Sequence, residues 1–214
     1  MPIKSEREYR DLTKCLEVRA DQDTEDNGMI VEGYASTFDD LYCLYRGKYY
    51  EVWEQVDKHA FDECDMSDVI FQFNHEGRVF ARNSNGTLEV KTDDKGLFIS
   101  ADLGQTEIGR QLYDEIRGGF TNKMSFGFTV GESKWEYIED EDNEKVTEIR
   151  TITKINKLYD VSAVSIPAND NTSISSRELS EGVIAEAEAE YLKRQEIKIK
   201  KRKLLLREKF SERI

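Results

Sequence analysis

The chain has 214 residues, room for one domain of ordinary size and an appendage. Only 38% of it is apolar, which leaves part of the chain exposed or extended. Its 44 acidic residues outnumber 31 basic ones for a net −13, and such a body repels phosphate rather than gripping nucleic acid.

The first ten residues are charged and lack the apolar core of an export signal. No stretch approaches the ~20 apolar residues that cross a bilayer, so neither export nor a membrane partner is expected. Leu12–Val18 reads as a first strand, and 21–28 as an acidic loop. Met29–Phe38 is a strand by its β-branched and aromatic content, with Gly33 at a bend. Residues 39–50 read as a Tyr-rich loop and Tyr49–Val56 as a short strand. Asp57–Glu63 suggests a short helix capped by Asp57. Cys15, Cys43 and Cys64 are odd in number and match neither a zinc site nor a redox pair in spacing, so free thiols are expected.

Val69–Phe73 is a buried-type strand running into the turn Asn74-His75-Glu76-Gly77. Thr87–Lys91 and Leu97–Leu103 flank Asp93-Asp94-Lys95-Gly96 as a hairpin. Thr106–Arg117 is a helix with Ile108, Leu112 and Ile116 on one stripe, closed by Gly118-Gly119. Lys123–Val130 alternates strictly. Met124, Phe126, Phe128 and Val130 take one face, while Ser125, Gly127 and Thr129 take the other, with Gly127 leaving room for a chain to approach. Strands follow at 135–138, 146–155 and 158–167, with an acidic hairpin tip at 139–145 and a turn at 168–171. From residue 177 the composition turns helical, and residues 193–214 hold ten basic and three acidic residues.

The expected architecture is mainly β with a few α-helices. Short strands of this kind bury their edges in a closed or nearly closed barrel. The expected division is a domain over 1–176, core 29–175, and a helical basic tail over 177–214. The tail admits three readings: a solvated helix, a partner-binding helix or a targeting segment. Its charge alone allows weak nucleic-acid binding through 198–203 but no specific site.

The candidate chemistry lies in His75, Ser125 and Asp160. A serine hydroxyl needs a base to accept its proton, histidine titrates in the right range, and a third polar group orients the imidazole. The chain has two histidines. His75 ends an apolar strand at a turn, while His59 lies in a charged segment. Asp160 interrupts an apolar strand and shares a face with Ser162. Taken alone, the residues also fit a structural hydrogen bond at Asp160. They imply no metal and no organic cofactor. The acidic run 139–142 lacks the glycine of a calcium loop.

Six motifs in order resemble the prohead proteases of tailed bacteriophages, distant relatives of the herpesvirus assemblins. They are Val31–Phe38, His59–Phe61, Phe73–Gly77, Asp94–Leu103, Gly119–Phe128 and Leu158–Asn169. The resemblance covers about 29–175. It implies an assemblin-like β-barrel and a serine endopeptidase with Ser125 as nucleophile, His75 as base and Asp160 as third member. Asp160 stands where the family more often has Glu, and His59 where it usually has Gly. Because assemblins use a second His, His59 stays as an alternative third member. Oxyanion donors would come from amides beside Ser125 or from Arg117-Gly118-Gly119. The implied substrates are the scaffold-like segment of the major capsid protein and the protease itself. The implied setting is the procapsid inside the host cytoplasm, and a homodimer is compatible with it. The alternative reading is a catalytically idle structural or chaperone-like head-assembly protein. A β-barrel binding module is a third.

Overall fold

The computed structural model describes residues 7–15, 17–18, 28–140, 145–165 and 174–211. In chain order the strands are β1 (Glu8–Cys15), β2 (Glu17–Val18), β3 (Ile30–Thr37), β4 (Tyr42–Arg46), β5 (Tyr50–Val56), β6 (Ile70–Phe73) and β7 (Glu76–Arg82). Then come β8 (Leu88–Thr92), β9 (Gly96–Asp102), α1 (Glu107–Arg117), β10 (Lys123–Asp140), β11 (Lys145–Val164) and α2 (Ile174–Ser211). The fold is mainly β with two helices, as the composition of the segments implies.

β10 and β11 are the backbone of the molecule. They pair antiparallel along nearly their whole lengths, 18 and 20 residues. The sequence divides each into two strands, because bulges between Gly127 and Ser133 break the alternation that identifies a strand. β1 lies on the outer edge of β10. The other edge of β11 carries two parallel partners end to end, β5 against 146–152 and β6 against 160–163. With β4 and β7 this makes a seven-stranded sheet. The second sheet has the order β2-β3-β9-β8.

Burial along β11 records the change of surroundings. From Lys145 to Ile152 alternate residues are buried, as in a strand with one covered face. From Asp160 to Val164 every residue is buried. There the sheet is covered on both sides, and even its polar residues must find partners within the protein. The main core joins Val31, Leu97, Ile99 and Ala101 of the small sheet to Met124, Phe126, Phe128, Ile152, Leu158 and Val161 of the large one.

Three expectations change. The strand pairing among the described residues forms two sheets, and neither closes into a barrel. Residues 42–46 are a strand, not loop, paired with β5. Residues 57–64 make three successive turns, Ala60 N–H to Asp57, Asp62 to His59 and Cys64 to Phe61. A helix there would be too short to stand without packing, and the chain instead turns to bury Ala60 and Phe61 and reach the Asp65 bridge to Lys157. Asp57 still caps, accepting from the His59 N–H at 2.8 Å. In α1, Thr106 accepts from Gly109 N–H at 3.0 Å, and Leu112 and Ile116 are buried. The turn expected at 168–171 and the centre of the acidic tip at 141–144 lie outside the described residues.

A buried ion network fastens β1. Arg10 bonds Glu54 and Glu8, Arg150 reaches the same Glu54 and Glu8 at 2.8 Å each, and the Tyr42 hydroxyl donates to Glu54 at 2.6 Å. Burial by itself would raise the Glu54 carboxyl, but the two guanidiniums outweigh it and hold the group down at about 2.

The first half of α2 lies against β4, β5 and β1. Val183 and Ala187 join Tyr50, Val52 and Val146 in a second apolar cluster, with Trp135 and Tyr191 packed around it. So part of the segment assigned from sequence to the tail is docked on the sheet. From Glu196 to Leu204 α2 is exposed.

Candidate active site

His75 is placed by a two-residue hairpin turn. Phe73 pairs with Glu76, and the intervening Asn74 and His75 have φ of 51° and 58°. Two consecutive left-handed residues make the primed turn that suits the twist of a tight hairpin. Asparagine tolerates that conformation and histidine less so, at a cost of about 1 kcal/mol. The turn is tied to the end of β11. Asn74 N–H donates to the Ala163 carbonyl at 2.9 Å, and Asn74 Oδ1 accepts from Ser165 N–H at 3.0 Å.

Ser125 and Asp160 are placed by register. Ser125 stands opposite Ser162 and Gly127 opposite Asp160, so all four belong to one face of the β10–β11 pair. Asp160 also pairs with Ile70 of β6, the strand that ends in the His75 turn. The imidazole therefore arrives directly over the carboxylate, and the short aspartate suffices. His75 Nδ1 lies 2.5 Å from Asp160 Oδ1, and His75 Nε2 lies 2.5 Å from Ser125 Oγ. A carboxylate only accepts, so Nδ1 carries the proton and Nε2 is left to accept from the serine hydroxyl. The three candidate residues form one hydrogen-bonded chain.

The surroundings of that chain come from Ser162 and Gly127, which share its face, and from Arg7 and Tyr9, which the sequence did not mark. Ser162 Oγ donates to Asp160 Oδ1 at 2.9 Å. Asp160 Oδ2 is buried and has no hydrogen bond among the described residues, and its salt-bridge partner there is Arg7 at 3.7 Å. The Tyr9 ring tilts against the His75 ring with centroids 4.3 Å apart. A methyl group at Gly127 would stand 2.3 Å from Asp160 Oδ2 and 2.8 Å from the Tyr9 ring. Gly127 is small because these two groups fill its face, and not because it waits for an incoming chain. Ser125 and Asp160 are 0% exposed and the His75 side chain 11%.

The model of the family described as caudovirus prohead serine protease matches residues 14–185. The chain belongs to that family. It is a serine protease of phage capsid maturation. Among solved structures it is similar to the bacteriophage T4 capsid assembly protease, gp21, with 13% identity over 74% of this chain and 99% of that one, at a TM-score of 0.38. No curated protein matches it.

Other candidates in the protease lie elsewhere. His59 sits on the exposed turn after β5, with Nδ1 3.0 Å from Asp62. The amides of Gly118 and Gly119 already donate to Asp114 and Ile116 carbonyls at the end of α1. They are not free to serve as oxyanion donors in this arrangement. Burial pushes the Cys43 thiol up and the Cys64 thiol up to about 11, away from the reactive thiolate. Among the described residues no group of three metal-binding side chains forms, and no helix is long and apolar enough to cross a membrane.

Tyr9 and Arg10 have no local signal, because Arg7-Glu8-Tyr9-Arg10 shows no strand alternation. What places them is the pairing of Tyr9 with Gly127 and of Arg10 with Phe126, far along the chain.

Proposed function

We propose that the protein is the endopeptidase that cuts the scaffold-like segment of the phage major capsid protein inside the procapsid, and that it also cuts itself. Ser125 attacks the scissile carbonyl. His75 Nε2 takes the hydroxyl proton and returns it to the leaving amine. Asp160 holds the imidazole in the Nδ1–H form and stabilises its cation. The catalytic domain is 1–176 with its core at 29–175; of the 177–214 tail, the part up to Tyr191 docks on that domain, and the rest addresses the enzyme to the assembling shell. A homodimer fits the family reading.

The observation that carries this is the unbroken chain Ser125–His75–Asp160, with both links at 2.5 Å. Replacing Ser125 by Ala and co-expressing the variant with the shell protein tests it. The expected result is uncut shell protein and full-length enzyme. Cleavage at the wild-type rate would remove Ser125 from the mechanism.

One observation favours the idle head-assembly reading: Ser125 is 0% exposed, and a working nucleophile must meet substrate. The protease reading requires the groups over the site to yield when substrate binds. A fluorophosphonate that labels the wild-type chain but not the Ser125→Ala chain supports the protease. No labelling of either chain, together with uncut shell protein, supports the idle protein.

A further inference from the structure

We propose that Ser162 is a positioning residue for the reaction, holding the Asp160 carboxylate in the one orientation that receives the His75 Nδ1 proton. The inference rests on the triad reading above and adds a member that acts only through Asp160.

A carboxylate on a short side chain can turn about its last bond, presenting either oxygen to the imidazole. Here the two oxygens have different surroundings. Oδ1 accepts from His75 and from Ser162 Oγ at 2.9 Å. Among the described residues Oδ2 is buried without a hydrogen bond, and it points into the space left by the missing side chain of Gly127. The Arg7 guanidinium, 3.7 Å from Oδ2 and partly exposed, supplies charge but no hydrogen bond. Ser162 is therefore the protein group that fixes which oxygen faces His75. It is itself 0% exposed, on the residue two places along β11, so strand geometry aims its hydroxyl at the same face. The hydroxyl donates, since the carboxylate cannot.

Without the hydroxyl, the carboxylate is free to turn about its last bond and orients the neutral imidazole less well.

The test follows shell-protein cleavage by the full chain for wild type, Ser162→Ala, Ser162→Thr, Asp160→Asn and the Ser162→Ala/Asp160→Asn pair. Ser162→Ala is expected to lower kcat about tenfold with KM unchanged. Ser162→Thr, which keeps the hydroxyl, restores kcat. In the Asp160→Asn background Ser162→Ala has no further effect, because the group it acts on is already gone. A wild-type kcat in Ser162→Ala overturns the proposal, as does an equal loss in both backgrounds. If Asp160→Asn itself cleaves normally, the acid assigned under the proposed function fails, and Ser162 with it. If only Ser162→Ala is silent, that acid stands and this proposal falls. Melting temperatures accompany each variant. Where Ser162→Ala does not fold, Ser162→Cys replaces the hydroxyl with a weaker donor, and a loss of kcat at unchanged KM that Ser162→Thr does not share decides.

Discussion

At the scale of single residues, the site is a problem of space as much as of chemistry. Asp160 needs somewhere to put its second oxygen, and Gly127 is where it goes. Gly127→Ala is expected to cost about 2 kcal/mol by overpacking, a few degrees in Tm. Cleavage should fall much further than that, by about a hundredfold, because the methyl displaces the carboxylate that orients His75. Thermal melting and shell-protein cleavage on the same preparation separate the two effects. A variant that melts lower but cleaves normally would show that Asp160 tolerates displacement. The residues of the chain Ser125–His75–Asp160 were legible beforehand for plain reasons. A serine opposite an aromatic stripe, a histidine at a strand end and an aspartate inside an apolar strand are each local anomalies. Gly127 was legible as a close approach but not for its cause, since its neighbour Asp160 is 33 positions away. Tyr9 and Arg7 had no local anomaly to mark them.

At the scale of elements, β1 links stability to access. It pairs with β10 so that Asp11 stands opposite Ser125 and Tyr9 opposite Gly127. Glu8 and Arg10 enter the buried network with Glu54 and Arg150, and Tyr9 between them lies against His75. The network fastens the strand, and the strand covers the site. Removing the Tyr9 ring is therefore expected to expose His75 and speed the reaction of Ser125 with a fluorophosphonate several-fold, while Arg10 and Glu8 keep β1 in place. The labelling rate of Tyr9→Ala against wild type at one pH measures this. An unchanged rate would mean that another group limits access. The same long-range pairing explains what sequence could not supply about elements. The hairpin β8–β9 is local and could be read from its turn, while at β6–β7 the turn could be read but not the returning strand. The placement of β1 against β10, and of β5 and β6 on one edge of β11, depends on partners distant in sequence, and so did the difference between two open sheets and a barrel.

At the scale of the whole molecule, the open matter is where the folded body ends, and α2 bears on it. The family match runs to residue 185, and docking continues to Tyr191, whose ring stacks on Tyr50 at 5.3 Å. Beneath the helix lies Glu148, fully buried with neither carboxyl oxygen hydrogen-bonded among the described residues. Burial raises its carboxyl to about 7; Arg194 on α2 opposes the rise and Glu190 on α2 adds to it. Tyr137 of β10 lies on the same side, under the Arg194 guanidinium at 3.5 Å. A carboxyl raised on folding binds its proton in the folded state between its ordinary value and about 7. Stability is therefore highest at the acid end of that window and falls as pH rises through 7. The expected outcome is a helix that docks more loosely at pH 8 than at pH 6, by about 1 kcal/mol. Hydrogen exchange of the α2 amides near Val183–Tyr191 reads the difference, and Glu148→Gln should hold the slow exchange of pH 6 at both values. Chain length tests the same docking independently of pH. A chain ending after residue 195 keeps Val183, Ala187, Tyr191 and Arg194, and should melt with the full chain. A chain ending after residue 176 uncovers Tyr50, Val52, Val146 and Glu148. Lost burial of Val183 and Tyr191 alone is worth about 3–5 kcal/mol, so that chain should melt many degrees lower. Equal melting of the two would place the helix outside the cooperative unit and leave Glu148 without a role in stability.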